Sequence, residues 1–276
     1  AEQRSLSYFS RRGVFGELVK GISFFKFVSK QQSSLEGASV ELAKAAKLLL
    51  NRNNLSIGWT ANKSDIVKQT PVLEHWLAQF PSTTFQPNKW KLPSTPTHNE
   101  AFIMPLKVNF VAQSSDVLTM GSQFSGHWIV LNNILSKDFL WNRIRVQAGA
   151  YGAHANMSRD GLFVTTTYRD PNIQASFEAF KQIPSYVAGL KLDERELTKY
   201  ILGTISSLDF PMTPKAKGWA ADTNYFVGYT DKDRQIIRKQ VLSTTQSDLN
   251  SLAKPLTKCA EHQNFSVVGG QAKIND

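Results

Sequence analysis

Cysteine and closely spaced histidines are scarce in this sequence. Cys259 is the only cysteine among the 276 residues, which excludes an internal disulfide and a cysteine-rich metal site. The five histidines lie far apart, and no HExxH or HxxEH pair occurs. Such a pair would place two imidazoles and a carboxylate base on one helix face, as a helical zinc site requires. The sequence therefore predicts that this chain holds no metal by itself.

Other signals of catalysis and of membrane insertion are missing too. The GxSxG nucleophile motif and the phosphate-binding loops GxxxxGK[ST] and GxGxxG do not occur. The apolar stretch 21–28 contains Lys26 and is shorter than the roughly 18 residues of a membrane span. We therefore predict no self-contained catalytic site and no membrane partner. Because Ala1 stands where an initiator methionine would be, we expect the sequence to be a piece of a longer protein.

The net charge is +10, and the sequence pI is about 9.6. The excess is spread along the chain, with no run of five or more basic residues and no aromatic-basic recognition motif. We therefore predict no nucleic-acid partner, although binding with a steep salt dependence would identify one. A positive surface that attracts acidic partners, or an acidic part of the same protein, is the simpler interpretation.

A proline-rich stretch divides the chain. Residues 81–98 hold four prolines and several Ser/Thr, which interrupt helices and remove sheet hydrogen bonds. Before this stretch, periodicity predicts a helix over 34–50, a strand over 54–60 and a helix over 64–80. These elements are too few for a complete domain. The sequence therefore predicts a domain boundary within this stretch, preceded by the end of another domain.

The second part predicts an α+β fold, with a mostly antiparallel sheet and helices packed on one face. Predicted strands cover 102–112, 149–157, 162–168 and 264–268, and Asp160-Gly161 signals a hairpin turn between the middle two. A helix is predicted over 123–145. Further helices begin after Asp170-Pro171, at the capping box of Asp193 and Glu196, and at Thr230 with Asp233. Strands grouped with helices, without strict alternation, favour this class.

The segment 140–155, LWNRIRVQAGAYGAHA, combines arginines, a tyrosine and small residues. Gly149 and Gly152 flank Tyr151, so a second chain can approach the backbone closely there. Arg143 or Arg145 and the phenol of Tyr151 supply donors for carbonyl oxygens or an oxyanion. Taken alone, these residues favour the simpler interpretation, a tyrosine packed on its sheet and arginines solvated at a helix end.

Several segments resemble, in the same order, the presequence-protease branch of the pitrilysin/insulinase zinc metallopeptidases. The similar segments are LLLNRNNLSIGWTA at 48–61, WNRIRVQAGAYGA at 141–153, TTYRDPN at 166–172, ELTKYILGTISSLD at 196–209, PKAKGW at 214–219 and RKQVLSTT at 238–245. The resemblance covers nearly the whole chain and is weakest over 81–98. It implies a polypeptide of four related α+β domains in two halves, which close around a chamber.

The resemblance also assigns domains and site residues. Residues 1–82 would be the C-terminal part of the third domain, 83–98 a linker, and 99–276 the fourth domain. Tyr151 and Arg145 would be the catalytic tyrosine and arginine, with Arg145, Gly149 and Gly152 binding substrate. Arg143 stays the competing arginine.

The implied function is a zinc metalloendopeptidase that degrades unfolded peptides in a closed chamber. Zinc would be bound by the N-terminal half of the same polypeptide, where it activates a water, and this chain would hold none. Tyr151 would stabilise the tetrahedral intermediate, and the chain alone would be inactive. Bacterial cytoplasm or an organelle matrix is the expected location. The alternative is a non-catalytic peptide-binding or assembly domain of a zinc-less homologue, and an upstream HxxEH motif would decide between the two.

Overall fold

The structure is a computed structural model that describes residues 1–31, 35–84, 91, 98–262 and 264–274. These residues form two compact units. The first unit contains the described residues of 1–25, 92–209 and 235–276, and the second those of 26–91 and 210–234. Most of the predicted linker, 83–98, lies outside the described residues. The boundaries 1–82 and 99–276 therefore stay a prediction.

One five-stranded sheet organises the first unit. Its strands in chain order are β1 (Glu100–Ile103), β2 (Phe110–Asp116), β3 (Gly152–Met157), β4 (Leu162–Tyr168) and β5 (Phe265–Gly269). Their order across the sheet is β1-β5-β2-β4-β3. Only the β1–β5 pair among these strands is parallel. The predicted α+β class with a mostly antiparallel sheet is confirmed.

Helices occur in both units. They are α1 (Glu2–Ser7), α2 (Arg11–Lys20), α3 (Ile22–Gln31), α4 (Leu35–Leu49), α5 (Lys63–Leu77), α6 (Gly126–Ile134), α7 (Ile173–Ala188), α8 (Glu194–Leu208), α9 (Pro214–Val227), α10 (Asp231–Leu242), α11 (Gln246–Ser251), α12 (Ala253–Glu261) and α13 (Gln271–Ile274). A 3₁₀ turn covers Arg52–Asn54, and two π-helical segments follow α6 at Leu135–Phe139 and Trp141–Gln147.

The main core lies between the sheet and one layer of helices. Large apolar side chains on this side are fully buried, among them Trp128, Leu131, Ile134, Leu140, Ile144 and Leu256. Burying one such side chain stabilises the fold by about 1.5–3 kcal/mol relative to leaving it exposed. This layer of helices on one sheet face was predicted and is present.

The short helix α1 covers part of the opposite face of the sheet. Ser114 and Ser115 are neighbours on β2, so their side chains point to opposite faces. Ser115 Oγ donates to the carbonyl of Cys259 on α12 at 3.4 Å, whereas Ser114 Oγ shares a 2.7 Å hydrogen bond with Ser5 Oγ of α1. Apolar contacts beside this pair come from Leu6, Phe9, Leu162 and Val164. A helix on the second face was not among the predictions.

The single strand predicted over 102–112 is wrong, because the chain there forms two strands. β1 ends at Ile103, β2 begins at Phe110, and both pair with β5 from opposite sides. Pro105 lies between them and has no N–H to offer a ladder. The chain reverses there, so that β5 fits between the two strands.

The strand predicted over 54–60 is also wrong. The helices on either side of it are confirmed as α4 and α5, but residues 55–60 join no sheet in the described structure. Alternating apolar residues favour a strand only where a neighbouring strand supplies hydrogen bonds. Instead, Gly58 lies against the carboxylate of Asp222, and Gly218 against the side chain of Thr60.

The second unit leaves its large apolar side chains exposed. None of its described hydrophobic residues is buried. The most exposed ones include Leu42, Leu48, Leu49, Val67, Val72, Trp219 and Tyr225. Large exposed apolar patches are typical of interaction sites.

Candidate functional site

The helix predicted over 123–145 is present, but its second half has π-helical geometry. α6 gives way at Leu135 to the two π segments, and the helix ends at Gln147. Bonds in a π-helix join residues five apart, a geometry that is rare and frequent at functional sites. Tyr186 on α7 donates through its hydroxyl to Asp138 Oδ2 at 2.8 Å, and burial, together with this carboxylate, raises the pKa of Tyr186. The phenol therefore stays protonated and holds the first π segment against α7.

Gly149 makes the sharp turn from this helix into the strand that carries Tyr151. Its N–H bonds to the Arg145 carbonyl at 3.2 Å, and Ala150 N–H bonds to the Ile144 carbonyl at 3.0 Å. The φ angle of Gly149 is +83°, in the left-handed region that other residues adopt at a cost of roughly 1–2 kcal/mol. The turn therefore requires glycine at this position.

Replacing Gly149 with alanine is expected to lower the free energy of unfolding by about 1–2 kcal/mol, through backbone strain. Steric overlap contributes little, because the nearest atom to an added Cβ is Pro171 Cγ at 3.5 Å. Gly152→Ala is the matched control. Its added Cβ meets only His154 Nε2, at 3.8 Å, so we expect a change within about 0.5 kcal/mol. Urea denaturation of both variants measures the difference, and equal effects would refute the strain argument.

The structure brings Arg145 and Tyr151 together. The Arg145 guanidinium donates through Nη1 to the main-chain carbonyl of Tyr151. Its central carbon lies 5.1 Å from the centre of the Tyr151 ring and 4.5 Å from that of the Trp141 ring. A guanidinium has five N–H donors, so most of the donors of Arg145 stay available to a ligand. These contacts hold Arg145 beside Tyr151 and leave most of its N–H donors free to bind a ligand.

The Tyr151 side chain is displayed to solvent. It is 64% exposed and touches Tyr168 edge to face, with ring centres 5.9 Å apart. Its hydroxyl makes no hydrogen bond within the described part of the chain. The ring therefore rests on the end of the sheet through Tyr168, while most of the side chain faces solvent. Arg143 is exposed on the helix, and the contacts with Tyr151 come from Arg145.

A surface depression of about 410 Å³ adjoins this pair. It is lined by Val108, Arg145, Gly149, Ala150, Tyr151 and Arg169. Of the two glycines predicted to bind substrate, Gly149 lines the depression and Gly152 does not. The lining contains two arginines and no acidic residue, so it favours oxygen acceptors and negative charge.

Sequence reasoning missed Trp141, Tyr168 and Arg169. Trp141 stacks under Arg145, and Tyr168 supports the Tyr151 ring. The predicted hairpin could have indicated Tyr168 and Arg169. With a turn at Asp160-Gly161, β3 and β4 pair up to Gly152 with Tyr168, so Arg169 follows directly after the last pair, at the end of the hairpin that adjoins Tyr151.

The described residues include no group of three or more His, Cys, Asp or Glu that could hold a metal ion. The side chains around Tyr151 therefore do not fit zinc. Within the described ranges, no helix combines the length and the apolar character that crossing a membrane requires.

Comparison with known proteins identifies relatives for most of the chain. Residues 99–270 match the family model of the PreP C-terminal domain. Protein HypA of Clostridium perfringens is 29% identical over 278 residues, covering 100% of this chain and 28% of that protein. Presequence protease 1 of Arabidopsis thaliana, described as chloroplastic/mitochondrial, is 29% identical over 249 residues, covering 88% of this chain and 23% of that protein. The chain thus spans about a quarter of the length of these relatives.

A solved structure shares the fold. The peptidase M16 inactive domain from Pseudomonas fluorescens superposes with a TM-score of 0.51 at 12% identity, covering 79% of this chain and 52% of that structure. At this identity the likeness concerns the fold alone. The family model covers more than half of the chain, including all five strands and the turn at Gly149. The chain therefore belongs to the presequence protease family, with residues 99–270 as its PreP C-terminal domain.

Proposed function

We propose that this chain is the C-terminal, non-zinc-binding part of a zinc metalloendopeptidase that degrades unfolded peptides. The observation that carries the proposal is the placement of Arg145 against Tyr151 beside an open depression without acidic lining. A phenol and a guanidinium displayed together bind peptide carbonyl oxygens. Membership of the presequence protease family supplies the reaction class.

In the proposed reaction, Tyr151 donates its hydroxyl hydrogen bond to the scissile carbonyl oxygen as that oxygen becomes negative. This donor contributes more in the transition state than in the ground state, because the charge develops only during the attack. Arg145 donates to a neighbouring carbonyl of the peptide and keeps Tyr151 in place through the contacts described above. Gly149 and Gly152 keep the backbone on both sides of the tyrosine open to the peptide.

The proposed partner is the N-terminal half of the same polypeptide, which would hold the zinc. The exposed apolar side chains of the second unit would be covered by further parts of that polypeptide. In the proposal, residues 1–82 end a third domain and 99–276 are the fourth. The two halves would close around the peptide, so catalysis would require closure. Relatives from a bacterium and from plant organelles suggest a bacterial cytoplasm or an organelle matrix.

Peptide hydrolysis by the full-length protein and by the isolated chain tests the proposal. We expect the full-length protein to cleave an unfolded peptide, to lose this activity with a chelator and to regain it with zinc. The isolated chain should contain no stoichiometric zinc and cleave nothing. Zinc and chelator-sensitive hydrolysis in the isolated chain would refute the proposal. A full-length protein that binds the peptide, but does not bind zinc and does not cleave the peptide, would favour a non-catalytic peptide-binding domain.

A further inference from the structure

Arg169 has an unusual backbone conformation for its residue type. Its φ angle is +52°, in the left-handed region that disfavours residues with a Cβ atom. Glycine or asparagine occupies such positions at less cost. An arginine there is a reason to look for a role of its side chain.

The residues on both sides of Arg169 are held in place. Tyr168 ends strand β4, and its carbonyl accepts the Tyr151 N–H at 3.1 Å. Asp170 is fully buried and exchanges main-chain hydrogen bonds of 2.8 Å with Asn109. Its carboxylate also accepts from Ser176 Oγ at 2.5 Å. Because both neighbours are anchored, Arg169 cannot relax without breaking these bonds. Arg169 also lines the depression.

Arg169 lines the same depression as Tyr151 and Arg145. It is exposed, and no carboxylate of the described residues lies within 4 Å of it. Arg145 already donates to Tyr151 and stacks on Trp141. Arg169 therefore brings a full set of unused donors to the open side of the site.

We infer that Arg169 is a second substrate-positioning arginine, which binds an oxygen acceptor of the peptide beside the carbonyl held by Tyr151. The acceptor is either a main-chain carbonyl or a carboxylate of the peptide. This inference rests on the proposed function, since it uses the same depression for peptide binding. It adds a residue whose contribution lies in affinity, because Tyr151 is the proposed donor to the reacting carbonyl and the described ring and side-chain contacts of Tyr151 come from Arg145 and Tyr168.

The test compares Arg169→Gly with wild type in the full-length protein. Glycine removes the side chain and fits the left-handed φ, so the melting temperature should be unchanged or higher. We expect KM to rise about 10-fold, because one charge-assisted hydrogen bond to the peptide is lost. The value of kcat should change less than about 3-fold. Arg169→Lys should recover part of the affinity. Arg159→Ala, at the other end of the same hairpin, removes the same charge and should leave KM unchanged.

Paired peptides with glutamate or glutamine near the cleavage site identify the acceptor. An effect confined to the glutamate peptide assigns a side-chain carboxylate, and an equal effect on both assigns a main-chain carbonyl. Peptide affinity of the chelator-treated protein, measured by fluorescence anisotropy, tests Arg169 even where no turnover occurs. An unchanged KM and affinity in Arg169→Gly would overturn the inference. An inactive wild type with an Arg169-dependent affinity would instead overturn the proposed function alone.

Discussion

Replacing Tyr151 with phenylalanine in the full-length protein is expected to lower kcat about 100-fold to 1,000-fold. That range is typical for the removal of one oxyanion donor, because the lost hydrogen bond is strongest in the transition state. The side chain is 64% exposed, and its hydroxyl has no partner in the described structure. Loss of the hydroxyl should therefore change the free energy of unfolding by less than about 0.5 kcal/mol. Steady-state kinetics and urea denaturation of the same preparation measure both quantities.

A matched control is Tyr168→Phe. Tyr168 is also partly exposed and keeps its ring contacts with Tyr151 and Phe110 in this variant. We expect it to retain most of the turnover. If Tyr151→Phe kept more than about half of the wild-type kcat, the role assigned to its hydroxyl would be wrong.

Replacing Arg145 with alanine is expected to lower kcat/KM by about 10-fold to 100-fold, the effect of losing a charge-assisted hydrogen bond. Both kinetic parameters should change. KM rises because a carbonyl of the peptide loses its donor, and kcat falls because the Tyr151 carbonyl and ring lose the guanidinium beside them. Arg145→Lys should restore little, since an ammonium cannot stack on Trp141 and bond the carbonyl with the same planar geometry.

Arg143→Ala distinguishes the two arginines that the sequence left as alternatives. Arg143 carries the same charge two residues earlier and is exposed on the helix. We expect kcat/KM of this variant to stay within about 3-fold of wild type. The opposite result, a loss in Arg143→Ala that exceeds the loss in Arg145→Ala, would reassign the substrate arginine.

Local signals in the sequence predicted much of the fold, because their chemistry acts over a few residues. Asp193 and Glu196 form the predicted capping box at the start of α8. Thr230 and Asp233 cap each other at α10 through bonds of 2.9 and 3.2 Å. One cap was misplaced by two residues. Asn172, and not Asp170, caps α7, because the Asp170 carboxylate bonds the Asn172 N–H and Ser176 Oγ instead.

Elements that depend on distant parts of the chain were missed. The strand over 54–60 has the right alternation, but no neighbouring strand meets it among the described residues. Helix α1 covers part of the second sheet face, where Ser5 shares a hydrogen bond with Ser114. The periodicity of the sequence does not predict such a hydroxyl pair. Sequence periodicity reports which side of an element is apolar, whereas the partner of that side is decided by the tertiary fold.

The candidate site was likewise predicted in part. The glycine-flanked tyrosine and a nearby arginine were readable from the segment itself, and the structure brings Arg145 and Tyr151 together. The choice between Arg143 and Arg145 could not be read from the segment, because it depends on the π-helical winding of Trp141–Gln147. Arg169 reaches the site only through the hairpin register and two anchored neighbours.

The π-helical segment before Gly149 has a consequence for how this part of the chain tolerates change in length. A π turn holds one residue more than an α turn. Losing a single residue between Trp141 and Gln147 would let the helix wind as an ordinary α-helix. The residues after the deletion would then keep their side of the axis, because the extra residue of the π turn would be the one lost. A residue lost within α6, which is already α-helical, would instead rotate Arg145 by about 100° away from the side on which Tyr151 lies, since an α-helix has 3.6 residues per turn.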